Sequence, residues 1–508
     1  MDLNLLLEMV VAGLGGRRAV TAGATTLRYD DLGTGAARLA SAVSDSGDDA
    51  LLYLGGNHAA FPVALFGASA AGVPFVPLNY RLSAEQLAGL IARHPGALIA
   101  GQAPAGVAGK AVSSDEIIAM SSVSPTEGST PGQTTDRSDD VALQLYTSGT
   151  SGAPKAALLR HRHLVAYVLA TVEFGGASET EAALVTVPPY HIAGVANLLS
   201  NLYAGRRIVY LDVFDPEGWL SLVRSEGVTQ AMVVPTMLAR IVRHLDGQAA
   251  DVPTLKSLAY GGSRMPQPVI EQALRCFPET GFVNAYGLTE TSSTIALLGP
   301  EDHRAAVHSE EARTRLRSVG RPVPGIEVDI RDDAGASRAP GQPGGVLVRG
   351  EQISGEYDGV ALLDPQGWFS TGDRGWIDRE GYLYIEGRAD DTIIRGGENI
   401  APAEIEDALM RHPAVVDAAV VGVPDDEWGQ RIEAAVVVGP DEEEVTADEI
   451  RAWVRTTLRS AKTPDVVTFW DQLPRTPTGK VLRREVLAAW RRPADGRPPA
   501  QDGRRRRQ

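Results

Sequence analysis

Residues 146–155 read YTSGTSGAPK, four Ser/Thr hydroxyls and two glycines ahead of a lysine. Glycines let backbone N–H groups turn toward an anion, and the hydroxyls of Thr147, Ser148 and Thr150 add further donors around Gly149. Lys155 supplies positive charge, so the chemistry this segment suits is the holding of phosphate. It is not a P-loop, which needs G-x-x-x-x-G-K-[ST]; here Pro154 precedes the lysine and Ala156 follows it. Taken alone, the same composition also fits a Ser/Gly-rich surface turn.

Further short motifs follow in order along the chain. They are PPYHIAG at 188–194, YGGS at 260–263, NAYGLTETSS at 284–293 and SVGRPVPG at 318–325. STGDRG at 370–375, GRADDTIIRGGENIAPAEIE at 387–406 and PRTPTGKVLR at 474–483 complete the set. Together with YTSGTSGAPK they resemble the signature motifs of the adenylate-forming (ANL) superfamily. That superfamily holds acyl-CoA synthetases, aryl-CoA ligases, luciferases and peptide-synthetase adenylation domains. The resemblance spans almost the whole chain. It implies an AMP-forming acid–thiol ligase: a carboxylic acid attacks ATP to give an acyl-adenylate, pyrophosphate leaves, and the acyl group passes to a thiol.

A carboxylate attacking a phosphate meets like-charge repulsion, so cations must serve both partners. The resemblance assigns that task to Lys480, in a Thr-Gly-Lys turn, as an electrostatic and orienting group. Glu290 matches the acid that holds Mg²⁺, with Thr147 beside it, and Thr289 matches a donor to the α-phosphate. Thr147 and Thr150 would assist at the β- and γ-phosphates. Tyr286 resembles the residue stacked on adenine, followed by Gly287, while Gly261, Gly262 and Ser263 form the opposite wall. Ser263 departs from the alanine more usual there. Asp373 matches the acid that binds the ribose diol, supported by Arg388.

Asp390 matches the hinge about which a small domain rotates after adenylation. Lys480 would then withdraw, and Gly396 and Gly397 would line a side-chain-free passage for a pantetheine arm. His191 stands at the position of the acyl-pocket gate, with Ala285 and Ser292 as small residues of the same pocket. Their size suits an aromatic or medium-chain acid. Trp428 resembles a tryptophan that stacks on the adenine of CoA, and Arg81 a phosphate contact. One position departs: CoA ligases often carry Lys-x-Pro-Lys where this chain has Lys462-Thr463-Pro464-Asp465. An acid there opposes a 3′-phosphate, so CoA is the expected acceptor and a nitrogen nucleophile, a small inorganic nucleophile or a carrier-protein thiol is the alternative.

These side chains need a scaffold. At 508 residues the chain is too long for one ordinary core. Apolar runs such as ALLYL and VPFVPL alternate with helical stretches such as SAEQLAGLIARH, which predicts strand–helix–strand units and a largely parallel sheet. The expected class is α/β: a large multi-subdomain adenylation domain over 1–389 and a small mobile α+β domain over 390–490. Residues 491–508 read as a disordered Arg-rich tail, with a basic interaction arm as the alternative. The Ser/Thr/Gly/Pro-rich stretch 113–140 reads as a surface excursion.

The composition, 44% hydrophobic and 22% charged, is that of a soluble enzyme, and a net charge of −16 opposes generic nucleic-acid binding. A single cysteine, Cys276, excludes an internal disulfide and reads as a core residue. His161 and His163 form an H-x-H pair without further ligands and are not expected to hold a metal. No stretch approaches the ~20 apolar residues that span a bilayer, and the N-terminal segment lacks a basic leader, so a cytoplasmic location is expected. The sequence carries no signal of oligomeric state.

Overall fold

The computed structural model describes residues 1–102, 109–122, 136–147, 154–439, 445–458, 460–476 and 479–491. Two large sheets form the first three quarters of the chain. In the nine-stranded sheet, Arg207–Tyr210, Ala182–Val185, Gln230–Val233, Ser257–Gly261 and Gly281–Leu288 lie side by side in parallel. Ser293–Leu298 then turns back antiparallel. In the eight-stranded sheet, Leu51–Leu54 pairs in parallel with Phe75–Pro77 and Leu98–Gly101. Val141–Thr147 joins beside Phe75–Pro77 and hairpins back into Lys155–Arg160. Parallel strands covered on both faces read as continuous apolar runs, which is why ALLYL and VPFVPL stand out in the sequence.

One apolar core joins the two sheets through the helices Tyr29–Ser46, Ala60–Ala71 and Ile192–Ala204. The helix Ala60–Ala71, AFPVALFGASAA, is buried almost all round, and its sequence is apolar on every face. A four-stranded antiparallel sheet follows, built from Glu327–Arg331, Gly344–Arg349, Phe369–Ile377 and Leu383–Arg388. The 3₁₀ turn Ala389–Asp391 leads into a small C-terminal domain. Its three-stranded sheet, with Val415–Asp425 and Gly429–Val438 as the long hairpin, packs against the helices Pro402–Met410 and Ala447–Thr457. The protein is thus a mixed α/β chain with a large N-terminal and a small C-terminal domain.

The stretch read as a surface excursion is in part ordered. Ser114–Ser121 is a helix, with Ile117 fully buried. The overlooked signal is a capping box: Ser113 Oγ accepts from Glu116 N at 3.2 Å, and Ser113 N donates to the Glu116 carboxylate at 2.8 Å. Residues 123–135 and the tail beyond 491 lie outside the described residues. His161 and His163 serve the backbone: Leu3 N donates to His161 Nδ1 at 3.3 Å, and Arg160 N to His163 Nδ1 at 3.2 Å. Cys276 is buried in the core beneath the nine-stranded sheet.

Candidate active site

Two neighbouring strands of the nine-stranded sheet bring the YGGS and NAYGLTE motifs together, with Gly261 opposite Ala285. The approach leaves no room for side chains. A Cβ on Gly261 would lie 2.3 Å from the Ala285 carbonyl oxygen, and one on Gly287 would lie 1.7 Å from that of Ser293. Past Leu288 the chain makes the single 3₁₀ turn Thr289–Thr291. The buried Thr291 hydroxyl accepts from Leu288 N at 2.9 Å and sits 2.8 Å from the Ser293 carbonyl. Ser292 and Ser293 hold left-handed or otherwise positive φ values of 52° and 102°. Strain of this kind costs on the order of 1–3 kcal/mol per residue and persists only where surrounding structure enforces it. Here it lets the strand reverse while Thr289 and Glu290 stay at its end.

Asp373 and Arg388 face each other across adjacent antiparallel strands. Arg388 Nη1 lies 3.3 Å from Asp373 Oδ1 and donates to the Thr371 carbonyl at 2.6 Å. The Tyr286 hydroxyl donates to Asp373 Oδ2 at 2.5 Å. Burial first, then the Asp373 charge, pushes the Tyr286 phenol far above its ordinary range, so it stays a donor. A nearly buried carboxylate, an aromatic ring and a guanidinium thus meet at one point.

A second group gathers around Glu290. Its carboxylate accepts from the Tyr357 hydroxyl, which lies 3.3 Å from Thr147 Oγ1. Burial and the Glu290 charge keep this phenol protonated as well. Tyr357 was not anticipated from the sequence. The available signal was Asp358-Gly359, a hairpin dipeptide between Glu356–Tyr357 and Val360–Ala361, with φ of 46° and 82°. The hairpin extends the eight-stranded sheet, with Tyr357 opposite Ala157. Asp358 also accepts from Ala156 N at 3.3 Å and from Arg93 Nη2 at 2.9 Å. Arg93 donates to the Pro154 carbonyl at 3.0 Å and lies over the Tyr146 ring at 4.9 Å. Both stems of the 146–155 segment are therefore clamped. Lys155 is exposed opposite Thr147, while Ser148, Gly149 and Thr150 lie outside the described residues.

Lys480 enters from the small domain. Gly479, at φ 83°, abuts the large domain: a Cβ there would lie 2.3 Å from Thr236 Oγ1. Arg475 donates to the Gly479 carbonyl and to both Asp417 oxygens, at 2.6 and 2.7 Å, bracing the turn. The Lys480 side chain is open to solvent over much of its surface. The protein packed round it and the Arg388 guanidinium still lower its pKa, with Asp391 and Asp373 pulling the other way. Lys480, Arg388 and Asp373 therefore share one electrostatic site. Asp390 is exposed; its neighbour Asp391 carries the contact, to Arg483 Nη1 at 3.3 Å. Arg264 with Asp407, and Arg411 with Gln267 at 2.9 Å, are further bridges between the domains.

The remaining residues fall into two places. His191 precedes the helix Ile192–Ala204, its Nε2 sealed from solvent and without a hydrogen-bond partner. Burial, aided by the Arg81 charge, lowers its pKa to about 4. Tyr190 packs on His191 at 4.5 Å, Tyr80 on Tyr190 at 5.6 Å, and Arg81 over Tyr80 at 5.5 Å. Arg81 thus belongs to the aromatic wall beside His191. Trp428 is on the small domain, where Gly396 N donates to its carbonyl at 2.8 Å and a Cβ on Gly396 would lie 3.3 Å from its ring. Gly262 and Ser263 continue from Gly261 at the strand end, and the Ser292 hydroxyl is fully buried without a partner.

A buried histidine supports this frame. His303 donates from Nδ1 to the Gly299 carbonyl at 2.7 Å, so its Nε2 accepts from the Tyr260 hydroxyl at 2.8 Å. Burial lowers its pKa to about 4. Between pH 6.5 and 4 the unfolded chain therefore binds more protons at His303 and His191 than the folded one, and stability rises with pH across that window. The thermal midpoint should fall as pH drops from 7 to 4.5, and His303→Gln should flatten part of that slope. An identical slope in the variant would remove His303 from the account.

The sequence model described as AMP-binding enzyme matches residues 7–358, and that described as AMP-binding enzyme C-terminal domain matches 404–480. Feruloyl-CoA synthase of Amycolatopsis sp is 34% identical over 490 residues, covering 92% of this chain and 95% of the relative. Fatty acid–[acyl-carrier-protein] ligase ScoC of Streptomyces coeruleorubidus is 33% identical, covering 92% of each. The o-succinylbenzoate CoA synthetase of Bacillus subtilis, solved with its acyl-adenylate intermediate, superposes with a TM-score of 0.81 at 27% identity, covering 95% of this chain and 97% of that one. It has also been solved with ATP and magnesium ion.

Proposed function

Because this chain belongs to the AMP-binding enzyme family, we propose that it activates an aromatic or medium-chain carboxylic acid as its acyl-adenylate and transfers the acyl group to CoA. It is an AMP-forming ligase. The observation that carries the reading is the cluster of Asp373, Arg388 and Tyr286, placed so that the charges of Asp373 and Arg388 act on Lys480 of the small domain.

Asp373 holds the ribose diol, with Arg388 fixing the carboxylate, and Tyr286 and the Gly261–Gly262–Ser263 edge border the adenine. The 146–155 segment, clamped at its two stems, holds the outer phosphates, with Lys155 adding charge. Thr289 donates at the α-phosphate. Glu290 and Thr147, joined through the Tyr357 hydroxyl, are hard oxygen donors that suit Mg²⁺. The ion, when bound, offsets phosphate charge, and few protein ligands are needed because substrate phosphates fill much of its shell. Lys480 lies between acid and α-phosphate and offsets the repulsion as the new bond forms.

His191, kept neutral, borders the acyl pocket without adding a charge. Its uncharged imidazole and the small residues Ala285 and Ser292 suit an apolar acid. Rotation at Asp390 then withdraws Lys480 and presents Gly396, Gly397 and Trp428, with Arg81 waiting on the large domain. No helix among the described residues is long and apolar enough to cross a membrane; a cytoplasmic location is part of this reading, since ATP and CoA are supplied there.

The test is a screen of carboxylic acids with ATP and Mg²⁺, with and without CoA, read as pyrophosphate and as acyl-CoA by mass. Acid-dependent pyrophosphate release with CoA-dependent turnover is expected. An adenylate that forms but passes only to a carrier protein or an amine would refute the CoA assignment. The 33% identity to an acyl-carrier-protein ligase supports that second reading.

A further inference from the structure

The acid at 465 stands out in the sequence as a charge that opposes a nucleotide phosphate. In the folded chain it is already committed. Arg395 Nη1 lies 2.5 Å from Asp465 Oδ2 and Nη2 lies 2.9 Å from Oδ1, a two-point bridge. Asp465 Oδ2 also accepts from Ile432 N at 2.8 Å. The Arg395 side chain is only 12% exposed, and its guanidinium carbon lies 5.3 Å from the Trp428 ring centroid. The indole itself remains 45% exposed.

Among the described residues, Lys462 and Arg431 are spoken for as well. Lys462 Nζ lies 2.5 Å from Glu404, and Arg431 Nη2 lies 2.5 Å from Glu433. The turn that delivers Trp428 is acidic, Asp425-Asp426-Glu427, and Asp425 accepts from both Glu427 N and Trp428 N at 3.0 Å. In CoA the 3′-phosphate hangs from the ribose that bears the adenine. An adenine stacked on Trp428 therefore carries a phosphate dianion to the neighbours of that ring. There it meets a guanidinium whose fork is filled by a carboxylate, beside three more acids.

We propose that this surface takes the acceptor nucleotide by stacking on Trp428 and rewards no 3′-phosphate, with Asp465 as the specificity-determining residue that withholds Arg395 from it. The inference rests on the CoA reading above. A planar guanidinium engaged at two points gives up that geometry only by breaking a charge-assisted pair. Salt screens what repulsion remains, so CoA is tolerated rather than excluded.

The experiment compares thioester formation by the wild-type full chain with CoA and with 3′-dephospho-CoA. Each kcat/KM is divided by the adenylation rate of the same protein. A preference for CoA below about tenfold, equivalent to about 1.4 kcal/mol, is expected. Asp465→Lys and Asp465→Asn, which free Arg395, should each raise that preference several-fold, the lysine variant more. A wild-type preference of about tenfold or more overturns the proposal, as does a folded pair of variants with no gain. If the adenylate forms but neither thiol is acylated, the CoA reading falls and this inference falls with it.

Discussion

Replacing Lys480 with alanine should lower acid-dependent pyrophosphate release by about 10²–10³-fold, the usual effect of removing one preorganised group that offsets transition-state charge. The reason is electrostatic. The acid and the α-phosphate are both anionic, and among the described residues Lys480 is the small-domain cation that shares the electrostatic site of Asp373 and Arg388. The loss should appear mainly in kcat, because the charge matters most as the new bond forms. Thioester formation from a supplied acyl-adenylate should fall far less, since the proposed rotation withdraws Lys480 before that step. Equal loss in both half-reactions would mean structural damage and not a role in adenylation. Because crowding and Arg388 lower the lysine's pKa, adenylation should also fail at a less alkaline pH than an ordinary lysine would allow.

Gly287→Ala should be the most damaging single methyl group in the site. The added Cβ would meet the Ser293 oxygen at 1.7 Å, the Ser293 carbon at 2.5 Å and the Thr294 Cα at 3.0 Å, all backbone atoms. No side chain can rotate away, so the two strands must part or shift register. A cost of roughly 3 kcal/mol or more is expected, at the upper end for overpacking, with a thermal midpoint several degrees lower. Activity should fall further than stability, because Tyr286 and Glu290 stand on either side of the distorted bond. Gly89→Ala is the control: Gly89 lies in the exposed face of the helix Ala84–Ile91, where a Cβ meets nothing within 4 Å. That variant should gain up to about 1 kcal/mol from helix propensity. Matching thermal midpoints for the two variants would refute the packing argument.

Much of the site was legible because its motifs are local. Tyr146–Thr147, Gly261, Tyr286–Glu290, Asp373 and Gly479–Lys480 lie at strand ends and turns. There a residue type answers to a backbone need that neighbouring letters betray. Glycine at 261 and 287 is demanded by close backbone approach, and at 479 by a positive φ and by Thr236. The small-domain elements were legible for a related reason, since their apolar periodicities are strong and their strands long. The helix Ser114–Ser121 was missed because polar composition outweighed a correct capping signal.

By itself, then, the sequence nominated candidates through motifs whose order marks the family: a Ser/Thr/Gly-rich segment ahead of Lys155 for phosphate, Asp373 for a ribose, Glu290 for a metal and Lys480 as the catalytic cation. Only the tertiary structure decided which groups meet. Tyr357 reaches Glu290 across 67 positions, and Arg395 reaches Asp465 across 70. Arg81 stands by His191 while Trp428 stands by Gly396, though both carried the same expectation. The physical reason is the short range of hydrogen bonds and of effective charge in water and salt. An acid such as Asp465 repels or binds according to what lies within a few ångströms, and that neighbour is set by folding and not by adjacency along the chain.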